Sequence, residues 1–241
     1  VERLRRLIEP LSPEQLRAPA YPSEWTIADV LSHLGSGGVI FVQNVDNAVT
    51  GEPTPADFNQ GVWAEWDAKS PDAQWADLPA VDAAVIARLA ALSPEERSGL
   101  KVKLGPFDLD YEGFAGLRLN EHALHTWDVE VALNPTATIT EDVVASVLAN
   151  LQMIARFAGK PTGATASYVI RTEAPAVTYL IDVTPESVSV NEGGPDASPD
   201  VVMPAEAFVR LVYGRLDTDH TPTGIEGGEH LNDLRSIFPG F

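Results

Sequence analysis

One stretch constrains this chain more than any other. Tyr111–Asn134, YEGFAGLRLNEHALHTWDVEVALN, has the period of a single long helix, about six turns at 3.6 residues each. With Glu121 at zero on a helical wheel, Arg118 falls at about +60°, His125 at about +40° and Asp128 at about −20°. Phe114, Leu117, Leu124 and Ala132 lie in or beside the same arc. An apolar stripe of this kind faces a core. Ionisable groups embedded in it must be paired, neutralised or bound to a metal. The expectation is a metal site with Glu121 and His125 among its ligands.

The rest of the sequence limits what such a site can be. The chain has no cysteine, so thiolate ligands, disulfides and cysteine nucleophiles are excluded. Any thiol in the chemistry has to come from a bound small molecule. Net charge is −19, from 16 basic and 35 acidic residues. Nucleic-acid binding rests on neutralising phosphates with Lys and Arg, and this balance argues against it. The same holds for an anionic membrane surface. No apolar run approaches the length of a membrane span. The chain opens at Val1 rather than Met, which leaves room for residues upstream. Its first segment, VERLRRLIEPL, reads as an amphipathic helix and not a signal peptide, and a cytoplasmic location is the expectation.

Taken in order, the chain is helical first and mixed later. Glu2–Ile8 is a short amphipathic helix. Thr26 followed by Asp29 fits a capping box, which starts a helix at Ile27 that runs to about Val49. His33 lies in its second turn, with Asp29, Gly37, Ile40 and Asn44 on the same face. Gly35, Gly37 and Gly38 each weaken a helix by up to about 1 kcal/mol relative to Ala, so they serve either close helix packing or room for a ligand. Ala56–Lys69 and Asp72–Leu92 are further helices, the second with Trp75, Leu78, Val81, Val85 and Leu89 as its apolar face. Ser93–Asp110, with Pro94, Gly99, Gly105 and Pro106, reads as a connection with some extended character. Glu141–Ala158 is one more helix. After the break at 159–163, Ala166/Tyr168/Ile170, Val177/Tyr179/Ile181 and Val188/Val190 alternate with the period of strands. Pro204–Tyr213 and Glu229–Phe238 return to helix. The division is an all-helical domain over 1–158 and a smaller α+β domain over 164–241.

Glu121-x-x-x-His125 places two ligands on one face of a helix, close enough to hold one ion. His33, from another helix, could be the third. Two histidines and a carboxylate with an open position suit a catalytic zinc or a non-haem iron. Asp128 and Asp29 each lie one turn from a histidine and could accept its second ring N–H. On spacing alone a buried ion-pair network of Arg118, Glu121, His125 and Asp128 is the favoured account over a metal, and His122 stays a lower-ranked ligand at the edge of the stripe. Gly35-Ser36-Gly37-Gly38 is no dinucleotide fingerprint, since no strand precedes it. No Gly-x-Ser-x-Gly elbow is present. The Asp217/Asp219/His220 loop and His230 read as solvated, and Trp63 and Trp66 as core or pocket wall.

WTIADVLSHLG together with RLNEHALHTWDVEVAL resembles the mycothiol-dependent maleylpyruvate isomerase family. The matching positions are Trp25, Thr26, His33, Arg118, Glu121, His125 and Asp128. DVVMPAEAFVRLVYGRL and the terminal IFPGF resemble the second domain of the same family. The resemblance implies a DinB-like four-helix bundle followed by a small α+β domain of sterol-carrier-protein type. It implies zinc or another divalent metal on His33, Glu121 and His125; Asp128, Arg118 and Asp29 are the expected supports, Asp29 by its spacing from His33 alone. It also implies mycothiol as the thiol cofactor and a small electrophile as substrate; the charge balance already argues against nucleic acid and membrane as partners. Arg215, in Tyr213-Gly214-Arg215, is the candidate for pairing a substrate anion from the second domain. Families of this kind host several reactions. The first expectation is a thiol S-transferase and the second a cis–trans isomerase of maleylpyruvate type. A non-catalytic small-ligand carrier and a metal-dependent hydrolase are the remaining alternatives.

Overall fold

The computed structural model describes residues 1–21, 24–105, 107–193 and 198–240. Pro106 and the last residue of the IFPGF segment lie outside them. The chain divides into two compact units, Val1–Ala137 and Thr138–Phe241. No helix among the described residues is long and apolar enough to cross a membrane.

The first unit is a helical bundle built around α2 (Ile27–Thr50), with α1 (Glu2–Ile8) before it. Thr26 caps α2 through a full capping box. Its hydroxyl accepts from the Asp29 N–H, and the Asp29 carboxylate accepts from the Thr26 N–H. Gly51, at φ +76°, ends the helix in the left-handed region that glycine adopts without strain. α3 (Phe58–Asp67), α4 (Pro71–Ala90) and α6 (Tyr111–Leu133) all pack against α2. Leu4, Ile8, Ile27, Val30, Leu31, Leu34, Leu78 and Val129 form one continuous core.

Between α4 and α6 the connection is more ordered than its Pro and Gly content suggests. It contains a short helix, α5 (Pro94–Gly99), whose Ser93 and Glu96 make a second capping box. A hairpin of β1 (Val102–Leu104) and β2 (Phe107–Leu109) follows.

The second unit begins before the sheet. Residues 141–158 form two helices, α7 (Glu141–Leu148) and α8 (Leu151–Ala158), and not one. They belong to this unit, which corrects the expected boundary at 158. The reason is packing. Val147, Leu151, Ala155 and Ala158 are buried, α8 lies against β5 (Val188–Glu192), and both helices touch α9 (Ala205–Val212). β3 (Ala166–Glu173), β4 (Thr178–Val183) and β6 (Val201–Pro204) complete a sheet of order β5-β4-β3-β6. β6 pairs parallel to β3, with Ile170 beside Val201, and the other pairings are antiparallel. The alternation predicted by sequence is realised on one face. Ile170, Tyr179, Ile181, Val188 and Val190 are buried, and the helical side of the unit supplies Phe208, Leu211 and Val212. α10 (Leu231–Ile237) closes the chain.

Candidate metal centre

α2 and α6 bring His33, Glu121 and His125 together. One ligand atom from each lies within 4.8 Å of the others. His33 Nε2 is 2.7 Å from Glu121 Oε2, and His125 Nε2 is 3.4 Å from the same oxygen. His125 is buried, while His33 and Glu121 keep some access to solvent. The donor set, two imidazole nitrogens and a carboxylate with no sulfur, suits a divalent transition metal. All three turn their coordinating atoms toward one another, so the residues present fit such an ion.

Asp128, fully buried one turn along α6, sits with Oδ2 at 2.8 Å from His125 Nδ1. A carboxylate only accepts, so the ring donates from Nδ1 and keeps Nε2 free for the site. Burial works to raise the Glu121 carboxyl. Hydrogen bonds and charge from His125 and His33 overrule it and hold the group well below the usual carboxylate range. Burial also works to lower His125, but its hydrogen bonds with Asp128 and Glu121 bring it above the ordinary value.

Trp25 closes one side. Its indole lies nearly parallel to the His125 ring, at 5.8 Å and 14°, and 5.2 Å from the His33 ring. The two imidazoles meet edge to face at 4.6 Å.

Two expected roles change in the structure. The Asp29 side chain is spent on the α2 N-cap, bonding Thr26 N at 2.8 Å and Thr26 Oγ1 at 2.7 Å, so it does not orient His33. His122 points away from the triad, with Nε2 2.8 Å from Asp82 Oδ1 on α4. Arg118 also turns to Asp82, at 3.0 Å, and to the Leu34 carbonyl at 2.9 Å. Burial pushes His122 below its ordinary value despite the Asp82 hydrogen bond, which favours the neutral ring. Asp82 was missed by sequence reasoning. The signal was there, because it lies on the apolar face of α4 between Leu78 and Val85.

The three glycines of α2 resolve differently. A Cβ on Gly35 would lie 2.1 Å from the Trp66 ring, and one on Gly38 would lie 2.4 Å from Val81 Cγ1. Both serve close packing. A Cβ on Gly37 would meet only Arg118 Nη1, at 3.6 Å. Trp66 is core, whereas Trp63 is exposed. Asp217 and His220 bond each other, Nδ1 to Oδ1 at 2.8 Å. Arg215 belongs to the second unit, where it is largely buried and donates from Nη1 to the Tyr213 carbonyl at 3.1 Å.

Residues 1–130 match the family described as Mycothiol maleylpyruvate isomerase N-terminal domain. Among curated proteins no match is found. Among solved structures, the crystal structure of the mycothiol-dependent maleylpyruvate isomerase aligns with a TM-score of 0.65 at 17% identity. The alignment covers 89% of this chain and 84% of that one. A histidine-to-alanine mutant of that enzyme aligns with the same values. At this identity the likeness concerns the fold, which it carries past residue 130 into the second unit. The S-transferase expectation is corrected by these matches. The matched family and the solved enzyme are named for an isomerisation and not for the transfer of a thiol.

Proposed function

The chain belongs to the mycothiol maleylpyruvate isomerase N-terminal domain family, and from that membership we propose that it is a metal- and mycothiol-dependent cis–trans isomerase acting on a maleylpyruvate-type substrate. The observation that carries the reading is the convergence of His33, Glu121 and His125 within 4.8 Å. These three residues would hold the ion, with zinc the metal proposed from a donor set that also suits a non-haem iron. A metal ion held there supplies the positive charge that stabilises the thiolate form of a small thiol, the nucleophile that reversible isomerisation of a conjugated cis double bond requires.

The chain's own residues prepare that chemistry. Asp128 fixes the His125 ring and its proton, so Nε2 is always presented to the site. Trp25 covers the two imidazoles and restricts access on that side. With no cysteine, the protein offers no competing thiol of its own. The net charge of −19 repels an anionic substrate, so a fixed cation is needed to bind one. A cytoplasmic location fits an enzyme that depends on a small reduced thiol.

The test is turnover of maleylpyruvate by the purified protein, with and without zinc and mycothiol, followed by NMR. The expected result is conversion to the trans isomer with the thiol recovered, abolished by a chelator. Net consumption of thiol, or conversion that needs no thiol, would overturn the proposal.

A further inference from the structure

Outside the ligand triad, the Arg118 guanidinium is a buried cation of the first unit held by two helices besides its own. It is 8% exposed and stands where three helices meet. Arg118 leaves α6 one turn before Glu121. Its Nη2 donates both to the Leu34 carbonyl on α2, at 2.9 Å, and to Asp82 Oδ1 on α4, at 3.0 Å. Leu34 is the residue after His33. The guanidinium therefore ties the backbone of one ligand-bearing helix, next to its ligand, to the other ligand-bearing helix. Asp82 anchors it from a third element.

α2 is shaped to admit this group. A Cβ on Gly38 would lie 3.0 Å from Arg118 Nη2 as well as 2.4 Å from Val81 Cγ1. A side chain there would press on both the guanidinium and α4. Asp82 is 4% exposed and also accepts from His122 Nε2, so its position is fixed from two sides. A buried ion pair adds little net stability, because desolvating the charges offsets their attraction. Its best attested use is to specify register between packed elements.

We propose that Asp82, Arg118 and Gly38 form a brace that sets the separation of His33 from Glu121, with Asp82 a positioning residue for the metal centre. This rests on the metal-binding reading above. Slippage of α2 along α6 would break the Leu34 contact and carry His33 away from Glu121. Because of the brace, the site is held at the right spacing before the ion arrives.

The test uses the full chain loaded with Co(II), whose visible absorption reports ligand geometry. Asp82→Asn with Arg118→Met removes the brace while leaving no uncompensated buried charge, and Asn still accepts from His122. The expected result is a folded protein, judged by circular dichroism, with Co(II) affinity reduced at least about tenfold and shifted absorption bands. An unchanged affinity and spectrum in that folded variant would overturn the brace. If the double variant does not fold, Arg118→Lys is read in the same way. It keeps the charge opposite Asp82 but lacks the planar fork that reaches Leu34. Wild-type protein that takes up no Co(II) would instead overturn the metal reading itself.

Discussion

His125 donates its Nδ1 proton to Asp128 Oδ2 at 2.8 Å, and Asp128 has no exposed surface. The pair fixes both the rotation of the imidazole and the nitrogen left for a metal. Asp128→Asn can instead offer its amide N–H to Nδ1, which favours the wrong tautomer. Metal affinity should fall about 10–100-fold. A competition titration against a chromophoric chelator measures it. Retention of wild-type affinity would remove Asp128 from the site.

His33 and His122 separate two accounts of the polar cluster. His33 contacts Glu121, while His122 contacts Asp82. His33→Ala should lose bound metal and activity together. His122→Ala should keep the metal and lose only stability. Elemental analysis of the purified variants distinguishes them, and metal loss confined to His122→Ala would reverse the assignment.

Much of this site was legible in the sequence, because ionisable groups in an apolar stripe are costly and therefore informative. Glu121, His125 and Asp128 declared themselves in that way. The same logic applied to α4 would have found Asp82, but its face was read only from its apolar residues, Trp75, Leu78, Val81, Val85 and Leu89. Asp29 illustrates a different limit. One carboxylate satisfied two patterns, a helix cap and an imidazole partner, and geometry allowed only the first. The unit to which residues 141–158 belong was hidden for another reason. An amphipathic face states that a helix is covered and does not name the cover, here β5 and α9. The break after Leu148 carries no Gly or Pro to mark it.

The glycines of α2 give opposite predictions at positions two apart. A Cβ on Gly35 would lie 2.1 Å from the rigid ring of Trp66, itself buried in the core. Gly35→Ala should destabilise the protein by about 1–3 kcal/mol through overpacking. Gly37 has no neighbour closer than 3.6 Å to the new atom. Gly37→Ala should be neutral or stabilising by up to about 1 kcal/mol, the helix-propensity difference. Urea denaturation of both variants checks the contrast.

Asp82 should contribute an acid limb to stability. Burial works to raise its carboxyl, but the His122 hydrogen bond and the Arg118 charge hold it below the ordinary 3.8. A carboxyl depressed in the folded state stabilises the protein above its unfolded value. That contribution is lost as pH falls through the folded value. The wild type should therefore lose stability steeply below about pH 4. Asp82→Asn should be weaker at neutral pH by about 3–5 kcal/mol, because the buried Arg118 loses its partner, and should show a shallower acid limb. Parallel limbs in denaturation midpoints measured from pH 3 to 7 would rule out this role for Asp82.

Trp25 makes the centre visible by fluorescence. Its indole stacks on His125 and lies beside His33, so a cation on those rings changes the electrostatic field at the indole directly. The other four tryptophans are Trp63, Trp66, Trp75 and Trp127, and none makes a ring contact with a proposed ligand among the described residues. Metal addition should change the emission of the wild type. Trp25→Phe should abolish most of that change. Because the indole is a wall and not a ligand, the variant should still bind metal within about tenfold of wild type, a difference of about 1.4 kcal/mol. If the metal-induced signal survives in Trp25→Phe while the metal still binds, the ion is not seated between His33, Glu121 and His125.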